Sequence, residues 1–119
     1  MQCLAAEVVA MIRAEAIWMS IDAVDMRAGT DTLLARILLV FGEAHPHHAY
    51  LFANQRRTRM KVLVHDGIGI WLASRRLDQG RFTWPQAGAT VSLTRAQFDA
   101  LVLGLPWQRV GADGVIRIL

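Results

Sequence analysis

The stretch from Tyr50 to Pro85 constrains the fold more than any other. Short β-branched and aromatic runs alternate there with turn residues, which is the pattern of paired strands and not of helices. Tyr50–Ala53, Met60–His65, Gly69–Arg76 and Arg81–Trp84 read as successive strands. Asn54–Thr58 is a polar turn, Asp66-Gly67 opens a tight connection, and Leu77–Gly80 turns the chain back. Pro85 ends the series, because it has no N–H to give to a ladder. Sequential strands with short turns are expected to form an antiparallel meander.

The flanking segments complete an α+β plan. Ala16–Ile21 is an apolar run suited to a strand, and Val91–Leu93 is a further short one. Thr30 or Asp31 offers a capping oxygen to a helix whose Leu33, Leu34, Ile37, Leu38 and Phe41 share a face; Gly42 is placed to end it. Thr94 and Gln97 form a capping-box pair for a second helix. Phe98, Leu101, Val102 and Leu105 make its apolar stripe, and Gly104 with Pro106 stops it. The expected architecture is one α+β domain: an antiparallel sheet of four to six strands with a meander core, and both helices packed on one face. Residues 1–15 read as an N-terminal helical extension, 16–110 as the domain, and 111–119 as a tail that either folds as a hairpin about Asp113-Gly114 or stays loose.

Charge is distributed unevenly over this plan. The 119 residues carry 13 Lys and Arg against 10 Asp and Glu, a formal net charge of +3. Seven of the bases (Arg56, Arg57, Arg59, Lys61, Arg75, Arg76 and Arg81) fall between Tyr50 and Pro85, against two acids, Asp66 and Asp78. That window is net +5 and the remainder is slightly acidic. In a meander the start of the second strand, the end of the third and the start of the fourth share one end of the sheet, so these residues meet in space. Like charges directly opposed across strands cost roughly 0.2–1 kcal/mol per pair. A cluster kept at that cost suits a multivalent anion, and arginine forks match phosphate oxygens, so nucleic acid is the first candidate. A charged strand edge that keeps sheets from joining is the competing explanation, and a protein partner is the third. Phe82, Trp84 and Trp71 lie beside the cluster; they either stack bases or fill the core, and core is the commoner fate of aromatics at strand spacing.

Other chemistry finds little support. The apolar share of 54% implies a filled core or an apolar surface held for a partner, but no run reaches the roughly 18 residues that span a bilayer. The leading residues lack a basic segment and contain Glu7, so a signal peptide is not expected. Cys3 is the single cysteine, which excludes an internal disulfide and agrees with a reducing cytoplasm. His45, His47 and His48 crowd the loop around Pro46, with no cysteine or second histidine cluster to complete a tetrahedral metal site. Gly67-Ile68-Gly69 is a turn and not a phosphate loop, since no helix follows it. Asp22, Asp25 and Asp31 are local to one segment, whereas two-metal nucleases draw carboxylates from separate elements. His65 and Asp66, adjacent on a strand, point to opposite sides. The sequence therefore calls for no cofactor, no metal and no catalytic residue.

Several segments together resemble the small accessory protein, called TnpB or Orf2, of the insertion-sequence-66 family of bacterial transposable elements. Val24-Asp25-Met26-Arg27-Ala28-Gly29 is similar to that family's D-M-R-x-G segment before the first helix. Arg59-Met60-Lys61-Val62-Leu63 and His65-Asp66-Gly67 resemble its central hairpin. Arg76-Leu77-Asp78-Gln79-Gly80-Arg81-Phe82-Thr83-Trp84-Pro85 resembles its R-L-(acid)-x-G-R-F-x-W-P signature. Leu93-Thr94 and Gly104-Leu105-Pro106-Trp107 resemble its closing helix. The likeness covers about Ile17 to Arg109; His65 departs from a frequent aromatic and Arg75 from a frequent lysine. It implies a non-catalytic, cytoplasmic helper of transposition, whose expected partners are DNA, chiefly through phosphates, and the transposase of the same element. No membrane is implied, and a homo-oligomer is open. The resemblance also adds Arg27 to the candidate nucleic-acid-binding residues, although pairing with Asp25 or Asp31 would account for it as well.

Overall fold

A computed structural model describes residues 14–86 and 90–110 of the chain. The helix expected at the N-terminus, and the tail expected to fold as a hairpin about Asp113-Gly114 or stay loose, lie outside the described residues. The elements run β1 (Ala16–Met19), α1 (Thr30–Phe41), β2 (His48–Ala53), β3 (Arg59–His65), β4 (Ile70–Arg76), β5 (Val91–Leu93) and α2 (Arg95–Val102), followed by a single 3-10 turn at Trp107–Arg109. They build an α+β domain around a five-stranded sheet of order β4-β3-β2-β1-β5. The meander expected from Tyr50 onward is β2-β3-β4, antiparallel throughout. β1 pairs antiparallel with β5 but parallel with β2, so the sheet is mixed. The parallel pair follows from α1, whose crossover returns the chain to the starting end before β2 begins.

The two helices lie on opposite faces of the sheet, not on one. Side chains alternate along a strand. Tyr50 and Phe52 of β2 and Leu63 of β3 pack with Leu33 and Ile37 of α1. Ala49, Leu51 and Ala53 of β2, with Met60, Val62 and Val64 of β3, pack with Phe98, Leu101 and Val102 of α2. This is why β2 is apolar at consecutive positions and buried from Ala49 to Ala53, as strands covered on both faces are.

Two further expectations are corrected. Arg81–Trp84 is not a strand. Phe82 and Trp84 are buried in the α2-side core, and their alternation serves that core and not a ladder. The Phe82 N–H donates to Arg57 O at 2.7 Å, and the Trp84 indole Nε1 donates to Ser20 O at 2.8 Å. The N-cap of α1 is Gly29, with no side-chain cap; Thr30 and Asp31 already belong to the helix, where Asp31 sits in the first turn with a favourable sign against the helix dipole. The C-terminal glycine is as expected: Gly42 has φ +82° and donates its N–H to Leu38 O at 3.1 Å. In α2 both capping-box bonds form, Gln97 N–H to Thr94 Oγ1 (3.1 Å) and Thr94 N–H to Gln97 Oε1 (2.9 Å). That helix ends at Val102, leaving Leu105 beyond it and exposed.

Candidate nucleic-acid interface

The end of the sheet where β3 begins and β4 ends carries the basic residues. Register places Arg59 directly opposite Arg76, Met60 opposite Arg75, and Lys61 opposite Ser74. Directly opposed residues share a face, so Arg59, Lys61 and Arg76 project on the side of α1 and Arg75 on the side of α2. An open groove of about 590 Å³ runs between the 23–26 segment and the β2–β3 turn, lined by Asp25, Met26, Gln55, Arg56 and Arg59 among others. A second hollow, of about 400 Å³, continues from it along Lys61, Ser74, Arg75 and Arg76. Met26 and Arg59 line both.

The turn that presents Arg56 and Arg59 is organised by Asn54. Its Oδ1 accepts from Thr58 N–H (2.9 Å) and Arg59 N–H (3.1 Å), while Nδ2 donates to Thr58 Oγ1 at 3.2 Å. Arg57 N–H donates to Asn54 O at 3.1 Å, and Arg57 itself takes the left-handed conformation, φ +60°. An Asn side chain that satisfies backbone N–H groups of its own turn is the physical reason Asn favours such positions. Sequence reading marked this stretch as a turn without singling out Asn54; its spacing from Thr58 was the available signal.

The eight basic candidates divide by what their side chains do. Arg57 turns inward: one guanidinium nitrogen donates to Ile21 O at 3.1 Å, and the group lies 5.6 Å from the Trp84 ring centroid. Burial pushes its pKa down, with the Asp22 carboxylate opposing that shift. Arg75 donates Nε–H to Val102 O at 2.5 Å, at the C-terminal end of α2, where a cation also meets the helix dipole. Lys61 donates Nζ–H to Ala28 O at 2.9 Å and so ties β3 to the segment before α1. Arg27 forms a bidentate pair with Asp25, 2.7 Å at the shortest contact, and that hydrogen bonding holds the Asp25 carboxyl down at about 2. Arg76 has a loose, exposed contact with Asp78 at 3.6 Å. Arg56, Arg59 and Arg81 are exposed, and among the described residues their side chains make no ion pair or hydrogen bond. Arg81 stands at the same end of the sheet, next to the Phe82–Arg57 backbone bond, but on the side of Gly104 after α2.

The groove therefore presents the free guanidinium groups of Arg56 and Arg59, with Arg76 beside them and the Lys61 ammonium behind. Its one acid, Asp25, is already paired. Of the aromatics, Phe82 and Trp84 are core, whereas Trp71 is exposed near the opposite end of β4 and donates Nε1–H to Asp66 Oδ2 at 3.1 Å. Among the described residues no group of three or more His, Cys, Asp or Glu side chains is placed to hold a metal ion, and no helix is long and apolar enough to cross a membrane.

Fold and groove together define a small mixed-sheet α+β protein with arginines gathered at one sheet end. The chain belongs to the IS66 Orf2-like family: the family model described as "IS66 Orf2 like protein" matches residues 15–112. That places it among the accessory proteins of IS66 insertion sequences. An uncharacterized protein, y4hO, of Sinorhizobium fredii (strain NBRC 101917 / NGR234) is 35% identical over 95 residues, covering 77% of this chain and 82% of its own. A second uncharacterized protein of the same strain, y4jC, is 28% identical over 96 residues, covering 79% and 82%. No solved structure matches the chain.

Proposed function

We propose that this accessory protein acts in transposition without catalysis, binding DNA by its phosphates along the Arg56–Arg59–Arg76 groove. The observation that supports this most directly is the direct opposition of Arg59 and Arg76, offset only by the loose, exposed Asp78 contact, at the mouth of a groove whose acid is already neutralised by Arg27. Phosphate contacts position a protein on DNA without reading sequence, and the exposed arginines with no aromatic platform beside them fit that mode. The test is a salt-dependent titration of duplex DNA with the R56Q/R59Q/R76Q protein against the unsubstituted one. Affinity should fall, and the slope of log K against log salt should flatten by roughly 0.9 for each phosphate contact removed. Equal affinity and slope would overturn the reading.

A second reading is assembly with the element's transposase through a protein surface. Leu38, which helical spacing places on the buried face, and Leu39 favour it, since both are exposed on the outer side of α1, Leu39 by 80%. Co-purification with the transposase after nuclease digestion distinguishes the two, because contact through DNA alone is then lost.

A further inference from the structure

Among the described residues β4 is an edge strand whose apolar middle has no guard. It lies at one end of the sheet order, and its outer side has no neighbouring strand among the described residues. Edge strands are normally blunted by charge, proline, a bulge or a covering element. Here Ile70, Trp71 and Leu72 are exposed by 41%, 43% and 38%, and the tip of the β3–β4 turn adds Ile68 at 98%. The charged residues come only at the end of the strand, and Arg75 is turned towards Val102.

The ladder fixes which backbone groups are free. Asp66 N–H donates to Gly69 O (3.1 Å), and Leu77 N–H donates to Thr58 O (3.0 Å). Hydrogen-bonded and non-bonded pairs alternate in an antiparallel ladder. Odd-numbered residues of β4 therefore bond to β3, while the N–H and C=O groups of Ile70, Leu72, Ser74 and Arg76 face outward.

We infer that this edge pairs with β4 of a second copy of the chain, antiparallel about a two-fold axis near Trp71–Leu72. Charge selects both the occupant and the direction. One end of the β3–β4 hairpin carries Arg59, Arg75 and Arg76; the other end carries Asp66 and His65, with no Lys or Arg. An antiparallel two-fold sets each arginine end beside the partner's Asp66 turn, whereas parallel pairing stacks arginine on arginine at a repulsive cost. A two-fold contact is self-complementary, so the unguarded apolar residues meet their own copies at the axis. On the α1 side, Ile70 and Leu72 project beyond α1, beside an apolar hollow of about 400 Å³ lined by Leu34, Ala44, Ile68 and Ile70. The pairing makes one continuous ten-stranded sheet, twice the five strands of each chain. It sets the two basic grooves roughly 30 Å apart along the strand direction, eight to ten residues at about 3.4 Å each.

The experiment uses the full chain without DNA, so its outcome is independent of the proposed phosphate site. Sedimentation over a concentration series should show a dimer of the 13.3 kDa chain, and Leu72→Lys should weaken dimerisation at least roughly tenfold. Amide exchange followed by NMR tests the geometry. In the dimer, Leu72 and Ser74 should be protected roughly tenfold or more over the dilute monomer, while Trp71 and Ala73 are protected in both. Retained protection at Trp71 and Ala73 in the L72K protein shows that it is folded. Three results would each overturn the inference: a monomer at every concentration, an L72K protein that dimerises as tightly, or a dimer whose Leu72 and Ser74 amides stay unprotected. So would protection of those amides that arises in the monomer only on adding another protein.

Discussion

Arg59 and Arg76 face each other directly across β3 and β4, at the first rung of that ladder, with only the exposed Asp78 carboxylate 3.6 Å from Arg76 to offset them. A surface contact of that kind contributes little, whereas two like charges directly opposed cost roughly 0.2–1 kcal/mol. Arg76→Gln should therefore leave the protein as stable or slightly more so in urea, while its affinity for duplex DNA falls. Loss of stability together with unchanged affinity would show that the pair serves the fold and not a ligand.

Arg57 should behave in the opposite way. Its guanidinium donates to Ile21 O and lies over Trp84, binding the β2–β3 turn to the end of β1 and to the segment after β4. A charged hydrogen bond contributes about 1.5–3 kcal/mol and a partly desolvated cation–π contact about 0.5–2 kcal/mol. Arg57→Ala should lower stability by about 2–3 kcal/mol, yet leave DNA affinity per folded molecule near its starting value. An affinity loss equal to that of Arg59→Gln, in a folded protein, would restore Arg57 to the binding set.

Asn54 carries no charge, and its effect on binding should run through position. Asn54→Ala removes two acceptor bonds and one donor bond from the turn, worth about 1.5–4.5 kcal/mol in total. DNA affinity should drop with it, because Arg56 and Arg59 lose their fixed presentation. Asn54→Asp separates the effects: it keeps the acceptor for Thr58 and Arg59 while adding a negative charge beside the groove. Stability close to the unsubstituted protein, with weakened DNA binding, is the expected pair of readings. Unaltered binding in both variants would show that the turn is not part of the interface.

These divisions mark where sequence reading reaches its limit. Alternation and turn chemistry located β2, β3, β4 and both helices, and the antiparallel meander followed from the short turns. The meander alone was enough to bring Arg59 and Arg76 to one end of the sheet; that they face each other directly is seen only in the register. What the pattern does not carry is the destination of a long side chain. Arg57, Lys61 and Arg75 look equivalent to Arg59 in composition, and each reaches a backbone carbonyl distant in sequence: Ile21, Ala28 and Val102. The Phe82-Thr83-Trp84 triplet alternates as a strand does, yet it seats two rings in the core, and only the tertiary structure separates those outcomes. The helix faces were misassigned for a related reason. An apolar β2 buried from Ala49 to Ala53 already implied cover on both sides, but helix spacing alone does not say which side each helix takes.

The histidine loop supplies a prediction about acid. His48 opens β2, and its Nδ1 accepts from the Trp18 indole Nε1–H at 3.2 Å, a bond that needs the neutral ring. Burial pushes the His48 pKa below its ordinary 6.5, and the nearby His45 and His47 push it the same way, against Glu15. The folded state therefore resists a proton that the unfolded chain accepts. The stabilisation is complete above the unfolded value and is lost as pH falls below it towards the lowered folded value. Urea midpoints should decline between about pH 7.5 and about pH 5.5, the range in which histidine changes charge. His48→Gln, which does not titrate, should flatten that decline while leaving the acidic arm below about pH 4 in place, where carboxylates such as Asp25 take up protons. An H48Q protein with the same slope across the histidine range would assign the effect to another group.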